Sequence, residues 1–173
     1  MLGDTRERYG SVSRFFHWLM SVLLIWQFLR LGHRINDGEH WIGETLVPWH
    51  VSIGVTLLVL IVLRMLWVST QLDKRPLADP VHPVAVRTGH FLLYAAMLLM
   101  PVTGILYMLG KGYGLKVFGM QLVARGTEVS WALPIGELHS PIAWFLLVMV
   151  LGHIGIALYH HFIKRDQVLR RML

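Results

Sequence analysis

Apolar residues dominate four stretches of this chain, roughly 13–32, 47–68, 89–109 and 138–162. At ~1.5 Å of rise per helical residue, each is long enough to cross a hydrocarbon core of ~30 Å. Between them, 33–46, 69–88 and 110–137 carry Gly, Pro and most of the charge, and a basic tail begins at Lys164. This order predicts an all-α integral membrane four-helix bundle. A single transmembrane domain fills residues 1–173, with no room for a soluble catalytic domain.

Composition agrees. With 55% hydrophobic and 15% charged residues, the chain is far too apolar for a soluble domain of 173 residues. The first stretch follows a short charged lead and resembles a secretory signal in outline. It is interrupted by His17, Gln27 and Arg30 and is not followed by Ala-x-Ala-type small residues, so it reads as a retained helix.

Orientation follows from the Lys and Arg near the helix ends. Eleven of them, Arg6, Arg8, Arg14, Arg64, Lys74, Arg75, Arg87, Lys164, Arg165, Arg170 and Arg171, fall on the side that holds both termini. Five, Arg30, Arg34, Lys111, Lys116 and Arg125, fall on the other. Both termini are therefore expected in the cytoplasm. The pI near 10.1 does not imply nucleic acid, because these residues sit at membrane boundaries and form no arm interleaved with stacking aromatics. The absence of cysteine removes disulfides, thiolate metal sites, iron–sulfur ligation and covalent c-type haem attachment.

Ten histidines are many for so apolar a chain, and ionisable groups inside spans are costly. His33, His40 and His82 fall in expected loops, whereas His17, His50, His90, His139, His153, His160 and His161 fall in or at the ends of spans. His139 and His153 are fourteen residues apart, which puts them on nearly one helix face and ~21 Å apart along the axis. His50 opens the second span level with His139, and His17 lies near the start of the first, roughly level with His153. Two pairs at two depths match the axial ligands of two six-coordinate haems.

Helix-end histidines that snorkel or bond across helices explain any single member equally well, but not the matched four. A zinc or copper site fits poorly, because one ion cannot bridge fourteen residues. His90 also opens a span and is an alternative ligand to His17 or His153. A proton-donating role near a quinone or haem propionate suits His90, His160 and His161, and a plain interfacial role suits each as well. Gly54, Gly104, Gly152 and Gly155 offer close approach for a helix or a flat cofactor, Pro101 predicts a kink, and most Trp sit at boundaries as belt residues.

Several motifs carry a resemblance. They are Tyr9–Ser11 leading to Arg14 and His17–Trp18, His50 opening the second span, and Gly89–His90 through Tyr94 with Pro101 and Gly104. His139 and His153 follow, then the ending His160–His161–Phe162 with Asp166, Leu169, Arg171 and Met172. Together they resemble the bacterial cytochrome b561 family, which also includes cytochrome b subunits of nickel hydrogenases and formate dehydrogenases; the length is similar to that of stand-alone members.

The resemblance implies two non-covalent haems b, with His50 and His139 on the periplasmic-side haem and His17 and His153 on the cytoplasmic-side one. It also implies an inner-membrane oxidoreductase exchanging electrons with quinone, ubiquinone above all. Some stand-alone members are similar to superoxide oxidases, so superoxide is one candidate donor. The outer loops do not decide it, since Asp37, Glu39, Glu44, Glu128 and Glu137 match their five cations. His90, His160, His161, Arg14 and Arg87 are candidate quinone or propionate contacts, and Arg64 and Arg165 are also available to propionates. The rival reading is an anchor and relay subunit for a soluble dehydrogenase.

Overall fold

Residues 50–69 are rich in Val, Ile and Leu, and in water the β-branched members of such a run favour strands. In hydrocarbon the backbone has no water to bond, so a single segment satisfies its N–H and C=O groups only as a helix. The computed structural model describes residues 1–36, 45, 47–76 and 82–173. Helix α1 is Ser11–Asn36, α2 is His50–Ser69 after a 3-10 turn at Val47–Trp49, and α3 is Pro83–Gly110. A short hairpin follows, β1 Leu115–Val117 and β2 Met120–Val123, then the five-residue α4, Ala132–Gly136. Helix α5 is His139–Tyr159, continued by a π-helical turn His160–Lys164 and a 3-10 turn Leu169–Arg171.

Four helical segments are long and apolar enough to span a membrane: Ser11–Leu31, His50–Ser69, Pro83–Gly110 and Ala132–Lys164. They match the four expected spans with shifted ends. The third starts six residues early because Pro83 occupies a first-turn position, where its fixed φ suits a helix and its missing N–H costs nothing. Arg87 therefore lies on the helix and not in the preceding loop. The first runs on to Asn36, so His33 is helical rather than in a loop. His40, Trp41, Asp37, Glu39 and Glu44 lie outside the described residues.

The all-α expectation holds for the spanning part, and the connection after α3 adds the β1–β2 hairpin. Its turn is Phe118–Gly119, both with positive φ, the backbone that two-residue hairpins favour. Phe118 is an unusual residue for that conformation, which is why the sequence does not advertise the turn. The Phe118 N–H donates to Ser52 Oγ at 2.9 Å, and Phe118 lies against Trp49, so the hairpin rests on the start of α2.

Helix α1 packs on α2, α2 on α3, and α3 on both α4 and α5. The core lies between the first three: Met20, Ile53, Leu57 and Ile61 are buried, with Leu23, Trp26, Tyr94 and Met97 packed around them. Ile53, Leu57 and Ile61 repeat every four residues and so share one face of α2. Large apolar side chains such as Val22, Ile25, Val59, Leu66, Val148 and Ile156 point outward, as a chain solvated by lipid requires. Trp26 belongs to this core and is not a belt residue.

At the end that holds both termini, the residues before α1 form a built structure. The Asp4 side chain is fully buried, pairs with Arg75 Nε at 3.1 Å and accepts the Gly10 N–H at 2.8 Å. The Asp4 N–H in turn donates to Gln71 Oε1, and Arg75 lies over the Tyr9 ring. Arg14 Nη1 donates to the Leu173 carbonyl and Trp18 Nε1 to that of Met172 at 3.0 Å.

Candidate functional site

The long helices bring their chemistry together at two levels. At one level stand Gln27 of α1, His50 of α2, Gly104 of α3 and His139 of α5; at the other stand His17, Arg64, His90 and His153 in the same order. On α2, α3 and α5 the two members are each fourteen residues apart, Arg64 after His50, Gly104 after His90 and His153 after His139. That spacing returns a helix to nearly the same face. The relation that the sequence offers on α5 recurs on α2 and α3 and brings Arg64 beside His17.

At the first level the ring centroids of His50 and His139 are 6.0 Å apart with planes at 87°. At the second, His17 and His153 are 6.3 Å apart at 62°. An imidazole nitrogen bonds a first-row metal at ~2 Å, and the ~1.1 Å from nitrogen to ring centre on each side puts two axial imidazoles roughly 6 Å apart across one iron. Both pairs have the separation that two axial imidazoles need. His90 is 5.8 Å from the same His153 ring, so the second level holds three candidates for two positions.

His139 is fixed by its surroundings. Helix α4 carries it onto α3 by close backbone approach, Gly136 lying against Tyr107 where a Cβ would sit 2.4 Å from the Tyr107 nitrogen. Its Nδ1–H donates to the Met100 carbonyl at 2.9 Å, with Thr103 Oγ1 at 3.4 Å. This contact exists because Gly104 has no side chain: a Cβ there would sit 2.9 Å from His139 Cε1. The bond fixes the tautomer, leaving the Nε2 lone pair for a metal. His50 differs. Its Nδ1 is buried with no hydrogen-bond partner among the described residues.

At the second level Arg64 Nη2 is 3.5 Å from His17 Nδ1, too long to fix that ring's tautomer, and its guanidinium lies over the Tyr94 ring at 5.3 Å. The His90 Nδ1–H donates to the Val86 carbonyl at 2.8 Å, which leaves Nε2 of that ring free as well.

The remaining candidates spread around this end. His160 Nδ1 bonds Asp166 Oδ2 at 2.5 Å where the π turn ends, and Arg165 takes the left-handed conformation that folds the tail back. Around Asp166 slight burial acts upward, but the bonds from His160 and the Val168 N–H outweigh it and hold this carboxyl below its ordinary range. His161 turns to another side and meets the Phe162 ring edge-on. Arg87 is exposed on α3, and Arg14 keeps a buried Nε without a partner among the described residues. Gly152 and Gly155, expected to sit against a neighbour or a cofactor, have open space where a Cβ would stand, whereas Gly54 and Gly104 do face neighbouring side chains.

The chain matches the prokaryotic cytochrome b561 family over residues 8–173. It is 33% identical to cytochrome b561 homolog 2 of Escherichia coli K12, over 98% of this chain and 93% of that one. It is 29% identical to cytochrome b561 homolog 1 of the same organism, over 96% and 97%. It is 25% identical to the probable superoxide oxidase CybB of Yersinia pestis, over 96% of both chains. With four membrane-length helices and a match that leaves out only the first seven residues, this chain belongs to the prokaryotic cytochrome b561 family of membrane electron-transfer proteins, a membership that implies haem b.

Proposed function

We propose that this protein carries single electrons in the bacterial inner membrane, between a partner on the periplasmic side and membrane quinone, through two non-covalently held haems b. The observation that carries this reading is the pair of imidazole pairs, 6.0 and 6.3 Å between centroids, at two levels of one bundle. His50 and His139 hold the periplasmic-side haem, and His17 and His153 the cytoplasmic-side one. When bound, the haems supply one-electron redox chemistry that no side chain here offers. The chain's own residues set the axial ligands, keep water out with lipid-facing apolar helices, and space the two levels ~21 Å apart along α5.

Near the cytoplasmic-side haem, Arg64 and the partnerless Nε of Arg14 are cationic donors suited to haem propionates or a quinol anion. His90, His160, His161 and Arg87 ring the same end as quinone or proton-transfer groups, with Asp166 holding His160 in place. Ubiquinone is the expected acceptor. Superoxide is the donor suggested by the Yersinia relative's name, which makes superoxide:ubiquinone oxidoreduction the reaction to test first. The positive-inside count supports cytoplasmic termini.

The second reading, an anchor and relay subunit, draws on the exposed side chains of Met120, Leu122, Val123 and Trp131 in the hairpin connection, an apolar face that a soluble dehydrogenase could cover.

The discriminating experiment adds superoxide to the oxidised, detergent-solubilised protein and follows haem absorbance, then adds quinone. Fast reduction followed by reoxidation supports the oxidase reading. Reduction only through a co-purifying dehydrogenase supports the relay.

A further inference from the structure

The two imidazoles of the periplasmic-side pair are held differently. The His139 Nδ1–H is bonded to the Met100 carbonyl, whereas His50 Nδ1 is buried and partnerless among the described residues. Beside it, Gln27 Nε2 donates to the His50 carbonyl at 2.9 Å and stands 3.3 Å from where a Cβ on Gly54 would be. Donor rules fix which end of this amide is which: a backbone carbonyl accepts only from the nitrogen, so the other atom is the oxygen. That oxygen, Gln27 Oε1, is also buried and without a partner.

One residue thus leaves a buried acceptor over while already bonded to the backbone of another that leaves a buried ring nitrogen over. A buried polar atom left without a partner in such a place is costly. From this juxtaposition we propose that Gln27 is the positioning residue for His50: its Oε1, which bonds nothing among the described residues in the present arrangement, accepts the His50 Nδ1–H once the ring turns its Nε2 to iron, and so fixes the tautomer. The inference rests on the ligand assignment above. Gln27 on α1 then does for His50 what the Met100 carbonyl on α3 does for His139. Such a partner raises the basicity of a ligating imidazole and so stabilises the oxidised metal.

Gln27→Leu removes the observed bond to the His50 carbonyl and the proposed acceptor together, and Gln27→Glu keeps an acceptor at the same reach while losing the donor. In a spectroscopic redox titration of the purified protein, Gln27→Leu is expected to raise the midpoint potential of the periplasmic-side haem. The expected shift is about tenfold in electron occupancy relative to the other haem, ~59 mV for one electron. Gln27→Glu is expected to hold that potential at or below wild type. Wild-type potentials in both variants, or equal loss of haem in both with no divergence of potential, would overturn the assignment and leave Gln27 a packing residue.

A second readout does not need the haem. Nitrogen NMR of labelled histidine in the haem-free protein, with His50 assigned by the signal missing from His50→Asn, is expected to place the proton on Nδ1 in wild type. In Gln27→Leu it is expected to move toward Nε2. An unchanged tautomer sinks the proposal. If the tautomer moves but wild type holds no haem at His50, the ligand assignment fails and the Gln27 contact stands.

Discussion

At the scale of single residues, Gly104 is the sharpest case. As a glycine in a predicted span it reads only as a place of close approach. What approaches, the His139 ring, and what it reaches for, the Met100 carbonyl, depend on how α4 lays α5 onto α3. Gly104→Ala puts a Cβ 2.9 Å from His139 Cε1, and the ring must leave that carbonyl. Haem content by pyridine haemochrome is expected to fall from two per chain toward one, and the spectrum of the remaining haem is expected to stay unchanged. His17 and His90 form a second pair of tests: His17→Ala is expected to lose the cytoplasmic-side haem, whereas His90→Ala is expected to keep both haems and slow reoxidation by quinone. His139 and His153 are legible as a pair because fourteen residues return any helix to nearly one face; His50 and His17 join them by level, and the structure sets His50 beside His139 and His17 beside His153. The competition of His90 for His153 was legible as an alternative, and the 5.8 Å separation keeps it a physical one.

At the scale of elements, the spans were readable because long apolar runs in lipid have one solution. Their ends were less so: Pro83 pulled α3 forward, and the first helix ran on past 32. The hairpin after α3 and the structure before α1 were not readable. One rests on a Phe-Gly turn, and the other on contacts between residues far apart in sequence, such as Asp4 with Arg75. Asp4 looked like ordinary charge in a leader, yet its side chain is fully buried. Replacing it strands Arg75 and the Gly10 N–H. Asp4→Ala is expected to cost ~3 kcal/mol, the low end for breaking a buried pair because Arg75 is partly exposed, seen as a lower melting temperature in detergent and faster proteolysis before residue 11.

The tail gives a pH test. The Asp166 pKa is depressed in the folded protein, so its bond to His160 contributes fully above the ordinary value of 3.8 and is lost as pH falls below it toward the folded value. Hydrogen exchange of the Val168 amide is expected to be protected at neutral pH and to lose that protection only in strong acid. In Asp166→Asn the acid-dependent step is expected to be absent.

At the scale of the whole molecule, each long helix contributes one residue to each of two levels, and lipid-facing side chains insulate both. Such a bundle suits a relay of electrons between the two levels. The proposal that each level holds one haem b is open to direct measurement. The direct measurement is the reduced-minus-oxidised absorption spectrum with pyridine haemochrome quantitation, on detergent-purified wild type and on His139→Ala. Two haems b per chain are expected in wild type, falling to one or none in the variant. A well-folded wild type that carries no haem would contradict it.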